Sequence, residues 1–169
     1  MKKQIVLMLT LLILISGAAV AQKKKAGSKL VTREVTIAAP FSKLVVEGNV
    51  DVLLFEDAAT VADVQGKQKT VESVKFTQKD GVFTITASPV NGKNPVVYLP
   101  VHHLAVIEAW KDATVTGTTV LQSTDLTLSL NDNCKISVTT IGKIKLLEGP
   151  ETTMVVLKNS SNPLNDESL

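Results

Sequence analysis

The side chains that could do chemistry in this chain are few and poorly spaced for it. His102 and His103 are the only histidines. Neighbours on a strand point to opposite faces, so the pair is badly placed to chelate one metal ion. No Cys-x-x-Cys or His-x-x-x-His accompanies it, and both histidines read as loop residues beside Pro100. Asn131-Asp132-Asn133 has the oxygen chemistry of a calcium loop but lacks the downstream acidic ligands that a hard cation needs. A polar corner between strands accounts for it better. Asp51, Glu56 and Asp57 suggest the carboxylate cluster of a β-helical polysaccharide lyase or hydrolase. That chemistry needs a matched acid and base with cationic clamps on one face. Here the three carboxylates share one strand and its turn, and Arg33 is the only arginine in the chain. No Gly-x-Ser-x-Gly elbow occurs either. The sequence therefore assigns no catalytic residue, no metal ligand and no cofactor.

Two single residues stand apart from that inventory. Cys134 is the only cysteine, which excludes an internal disulfide. It shares strand parity with Ile136 and Val138, so it is expected to face inward as an unreactive thiol. Trp110 is the only tryptophan. It falls at an outward corner position, and an exposed tryptophan is a common contact for sugars and protein partners. It is the one candidate binding residue.

The elements that must position these residues are marked by a repeated strand–corner–strand motif. It reads Leu44-x-Val46, three residues, Val50-x-Val52. It recurs as Ile107-x-Ala109 with Ala113-x-Val115, and as Leu128-x-Leu130 with Cys134-x-Ile136. Each copy places two apolar residues on one face of a strand, then a polar corner, then two more. The corners are Glu47-Gly48-Asn49, Trp110-Lys111-Asp112 and Asn131-Asp132-Asn133, which places Glu47, Trp110 and Asn131 in equivalent positions. The last two copies lie about one solenoid coil apart, within the ~20–30-residue spacing of short structural repeats.

Between the copies the pattern stays β. Residues 30–37 alternate, with Val31, Arg33, Val35 and Ile37 on one parity, before Ala38-Ala39-Pro40 breaks the strand. Residues 60–64 form a further short strand, and 66–69 a polar loop with at most one helical turn after it. Val74-x-Phe76 and Phe83-x-Ile85-x-Ala87 flank Asp80-Gly81, a strong hairpin signal. Val96-Val97-Tyr98-Leu99 is closed by Pro100. Ile144-x-Leu146, Gly149-Pro150 and residues 154–157 continue the coils with a degraded corner. No extended run shows helical periodicity, so the chain is all-β.

Composition adds an address. At 169 residues the chain suits one domain. The formal net charge is +2, without the basic excess expected of a nucleic-acid binder. Lys2 and Lys3 precede an apolar run over residues 5–15, and Ala19-Val20-Ala21 supplies small residues in A-x-A spacing. That is the layout of a cleavable signal peptide over residues 1–21, with Gln22 as the first mature residue. The run is shorter than the ~20 residues a membrane-spanning helix requires. Residues 22–29 then read as a flexible lead, 30–158 as one β-solenoid domain, and 159–169 as a disordered polar tail.

The stretch Phe41-Ser42-Lys43-Leu44-Val45-Val46-Glu47-Gly48-Asn49-Val50-Asp51-Val52 resembles the opening signature of the putative auto-transporter adhesin head domain family. The similarity continues through Asp80-Gly81, Tyr98-Leu99-Pro100 and the coil from Leu104. Lys111-Asp112-Ala113 and Asp132-Asn133-Cys134 stand where the family's later coils carry Ser-Gly-Ala-type corners. The resemblance implies export from a Gram-negative cell and a right-handed parallel β-helix, here with an inserted N-terminal hairpin. It brings no catalytic residues. The function it implies is a non-enzymatic, adhesin-like binding module of the periplasm, outer surface or medium, with a glycan or surface protein as partner. The alternatives are a polysaccharide-active β-helix enzyme and a purely structural envelope module.

Overall fold

Strict period-two alternation decides the secondary structure almost everywhere. The computed structural model describes residues 29–88 and 92–148, and these described residues form twelve strands and one short helix. In order these are β1 (Leu30–Thr36), β2 (Lys43–Gly48), β3 (Asp51–Glu56), β4 (Val61–Lys67), α1 (Gln68–Ser73) and β5 (Val74–Lys79). There follow β6 (Val82–Ala87), β7 (Val96–Val101), β8 (Val106–Trp110), β9 (Thr114–Leu121), β10 (Asp125–Leu130), β11 (Lys135–Thr140) and β12 (Lys143–Glu148). The signal peptide, residues 22–28 of the lead, residues 149–157 of the last expected coil and the tail lie outside the described residues.

The strands form two sheets of six. The first runs β1-β4-β7-β3-β9-β11 and the second β12-β10-β8-β2-β6-β5. Within each, the central strands are parallel. β1, β4 and β5 are added antiparallel. The expected right-handed parallel β-helix is therefore wrong: the molecule is all-β, built of two mixed sheets. In a simple coil, strands stack in chain order. Here β2 lies between β6 and β8, and β3 between β7 and β9, so the unit formed by β6 and β7 sits on the far side of β2 and β3 from β8 and β9. The hairpin at Asp80-Gly81 exists, with φ of 51° and 73° at the turn. It is no insertion, because β6 pairs along its whole length with β2.

What the repeated motif does encode is the core. All twelve of its apolar positions are fully buried. Leu44 aligns with Ile107, and Ile107 with Leu128, across β2, β8 and β10. Val52, Val115 and Ile136 form the matching row on β3, β9 and β11. Burial of each such aliphatic side chain contributes about 1.5–3 kcal/mol. Residues from both sheets share this one hydrophobic core. Arg33, the polar member of the inward parity of β1, is paired at its tip, although its buried Nε has no hydrogen-bond partner among the described residues. Its Nη2 donates to the Val74 carbonyl at 2.7 Å, and the guanidinium lies 5.6 Å from the Phe76 ring centroid.

The corners explain the remaining local choices. Gly48 has φ of 92°, and a Cβ there would lie 2.0 Å from the Ala87 carbonyl oxygen, so only glycine fits. At the opposite end of the strands, buried Ser123 donates to the Leu104 carbonyl, and Thr140 reaches the carbonyls of Leu121 and Ser123. These hydroxyls satisfy backbone groups where the chain crosses between sheets.

Candidate functional site

The outward parity of the second sheet places Lys43, Val45 and Glu47 on β2 beside Val106, Glu108 and Trp110 on β8. Trp110 stands in register with Glu47, as the equivalence of the motif copies predicts. It is half-buried rather than fully exposed. Its indole Nε1 donates to Glu108 Oε1 at 2.9 Å, which draws the ring back along its own strand. The other oxygen of Glu108 meets Lys43 Nζ at 2.6 Å. Lys111, in the left-handed corner after Trp110 (φ 52°), donates to Glu47. That hydrogen bond, with the charge of Glu47, raises the Lys111 pKa. Trp110 is thus held by Glu108, itself paired with Lys43, with the Glu47–Lys111 ion pair in register beside it and Ser129 on β10 opposite Glu108.

A second feature lies at the other end of these strands. The loop joining β1 to β2, the loop joining β3 to β4 and the start of the β7–β8 loop enclose a largely apolar cleft of about 480 Å³. Ala39, Pro40, Phe41 and Ala59 contribute apolar wall, and His102 and His103 stand at its margin. The imidazole centroids are 3.9 Å apart, and His102 Nδ1 lies 2.8 Å from Glu56 Oε1. Sequence reasoning missed this cleft. The available signal was the run of Ala and Pro in two loops where Asn, Asp and Gly are usual.

The other residues weighed from sequence do not converge. Asp51 and Glu56 occupy opposite ends of β3. Asp51 accepts a hydrogen bond from Asn94, Glu56 from the Gln122 amide and Asp57 from the Ala59 amide. Asp132 and Asn133 are exposed at a corner where Asp132 has φ of 60°. Among the described residues no group of three or more His, Cys, Asp or Glu side chains is arranged to hold a metal ion. Cys134 is fully buried, and burial pushes its thiol pKa up, away from a reactive thiolate. Among the described residues no helix is long and apolar enough to cross a membrane.

Residues 40–152 match the family described as putative auto-transporter adhesin, head GIN domain. The chain belongs to this family. Solved structures agree on the fold. A putative adhesin from Parabacteroides merdae superposes with a TM-score of 0.62 at 21% identity, over 77% of this chain and 57% of the other. A putative adhesin from Parabacteroides distasonis gives 0.63 at 21%, with the same coverage of each chain. A putative lipid binding protein from Parabacteroides distasonis gives 0.51 at 10%, over 72% of this chain and 68% of the other. This head GIN domain chain thus covers little more than half of each of the two adhesin structures. No curated protein matches it.

Proposed function

We propose that the protein is an exported, non-enzymatic binding module of the cell envelope or surface, engaging a glycan or surface protein through the outer face of the second sheet at Trp110. The observation that carries this reading is the braced indole. Glu108 and Lys43 hold the side chain on a polar sheet face, so part of its orientation is fixed before a partner arrives. An aromatic plane beside carboxylate, ammonium and hydroxyl groups suits the apolar face and the hydroxyl rim of a sugar ring, or a mixed protein surface. Family membership supports an adhesin-like role, and the signal-peptide layout supports a site of action outside the cytoplasm. The enzyme alternative loses ground because Asp51 and Glu56 are separated by the length of β3.

The test is a glycan array and an envelope-protein pull-down with the chain starting at Gln22, followed by titration calorimetry on the best binder. Trp110→Ala should weaken binding by more than about 1 kcal/mol with the fold intact. Unchanged affinity in a folded variant would remove Trp110 from the recognition surface.

A further inference from the structure

The cleft at the far end of the strands carries a chemistry that the Trp110 face lacks. We infer that it is a separate binding site for a linear amphiphile, a single alkyl chain whose hydroxyl head lies at the paired imidazoles of His102 and His103. Its volume of about 480 Å³ falls within the roughly 300–1,000 Å³ of small-molecule sites. Connecting loops face water and are normally polar. Here Ala38-Ala39-Pro40 and Ala58-Ala59 present small apolar side chains, all exposed, on two loops that bound the cleft. Methyl groups in those places leave room between the walls and give an incoming hydrocarbon chain apolar surface to cover.

The walls are fixed without help from a ligand. The Ile37 amide donates to the Thr60 carbonyl at 2.8 Å, tying the two loops together. The Gln78 side chain clamps the first loop, accepting from the Ala38 amide at 2.9 Å and donating to the Ala39 carbonyl. Asp57 shapes the second, accepting from the Ala59 amide at 2.8 Å while its own amide donates to the Val101 carbonyl at 3.0 Å. A cleft bounded in this way is preorganised, which lowers the ordering cost of binding.

The polar margin selects the head group. Glu56 is engaged on both oxygens, by His102 Nδ1 and by the Gln122 amide, each at 2.8 Å. With Nδ1 donating to the Glu56 carboxylate, Nε2 of the neutral His102 ring is left as an acceptor for a ligand's O–H. Ser42 and Thr60 add hydroxyls. No Lys or Arg lines the cleft among the described residues. The fork or ammonium that usually binds a phosphate or carboxylate is therefore missing, Asp57 adds a carboxylate to the lining, and a neutral hydroxyl suits the margin better than an anionic head group. Trp110 is remote from this site, roughly 17 Å along β8 from Ala105 at about 3.3 Å per residue.

The experiment is calorimetric titration of the chain with 1-decanol below its solubility limit, with decyl phosphate and phosphatidylcholine vesicles as comparison arms. The expected result is saturable one-to-one binding of 1-decanol, decyl phosphate weaker by about tenfold, and no binding to vesicles. Trp110 emission should not change on 1-decanol addition. Ala59→Phe, which fills the cleft from one wall, should weaken binding by at least about tenfold at unchanged melting temperature. Ala39→Leu narrows it from the other wall and should act alike, which covers the case of an Ala59→Phe variant that folds poorly. Absence of 1-decanol binding, equal affinity for decyl phosphate, uptake onto vesicles, or wild-type affinity in both folded variants would each overturn the assignment. None of these outcomes bears on the Trp110 face, so the two readings fail separately.

Discussion

Leu128→Ala tests the aligned core rows most stringently. Leu128 is fully buried in β10 between Ile107 of β8 and Leu146 of β12. Leucine-to-alanine changes in packed cores cost roughly 2–5 kcal/mol, the larger values where neighbours cannot collapse into the cavity. Here the strands on both sides are fixed by parallel ladders, and nearby Ala109 is too small to fill the space. The upper part of that range is therefore expected, about 3–5 kcal/mol. At roughly 2–4 °C per kcal/mol for a chain of this size, the melting temperature should fall by about 6–20 °C. Urea unfolding followed by circular dichroism should show the shift in midpoint with an unchanged slope. Leu147→Ala, one residue from Leu146 on the opposite parity and 46% exposed, is the internal control and should stay within about 1 kcal/mol. A loss below about 0.5 kcal/mol at Leu128, or equal losses at both positions, would refute the register argument.

Three further outcomes follow from the same structure. Gly48→Ala must relieve both its left-handed φ and the 2.0 Å approach to the Ala87 carbonyl oxygen. It should lose more than the roughly 1–2 kcal/mol of the conformational penalty alone. Gly81→Ala, with nothing nearer than Ser42 Oγ at 4.0 Å, should lose only that penalty, and equal losses would contradict the clash. Cys134 should resist thiol reagents in native buffer and react only on unfolding. Because burial raises its pKa, its contribution to stability is complete below about pH 8.5, the value for a free thiol, and is lost as pH rises from there. Cys134→Ala should flatten that alkaline slope, and rapid native labelling would refute the inward placement. Mass spectrometry of the exported protein should find Gln22 at its N-terminus, and retention of Met1 would contradict cleavage after Ala21.

The alternation of Leu44, Ile107 and Leu128 with their polar corners was enough to place the core, because parity is written directly into a strand. Strand order was not. The repeat reports that each strand has an inner face and that a corner follows it, and two facing sheets satisfy that as well as a coil does. Nothing local says that β6 settles beside β2, or that β1 and β4 extend the first sheet antiparallel. Those choices depend on which backbone edges are near one another once the core forms. The same reasoning separates the two candidate sites. Trp110 was visible as one unusual side chain at a corner. The cleft was not, because Ala39 and Ala59 come to line one cleft only after folding brings their two loops together, as the Ile37–Thr60 hydrogen bond does.

Trp110 is the only tryptophan in the chain, so its fluorescence reports the proposed recognition face directly. A ligand found on the array should be titrated into the intact protein while emission and iodide quenching are followed. If that ligand covers the indole braced by Glu108, emission should shift to shorter wavelength and quenching should fall, both saturating with the calorimetric affinity. Saturable binding with unchanged emission and unchanged quenching would place the ligand elsewhere and contradict the account.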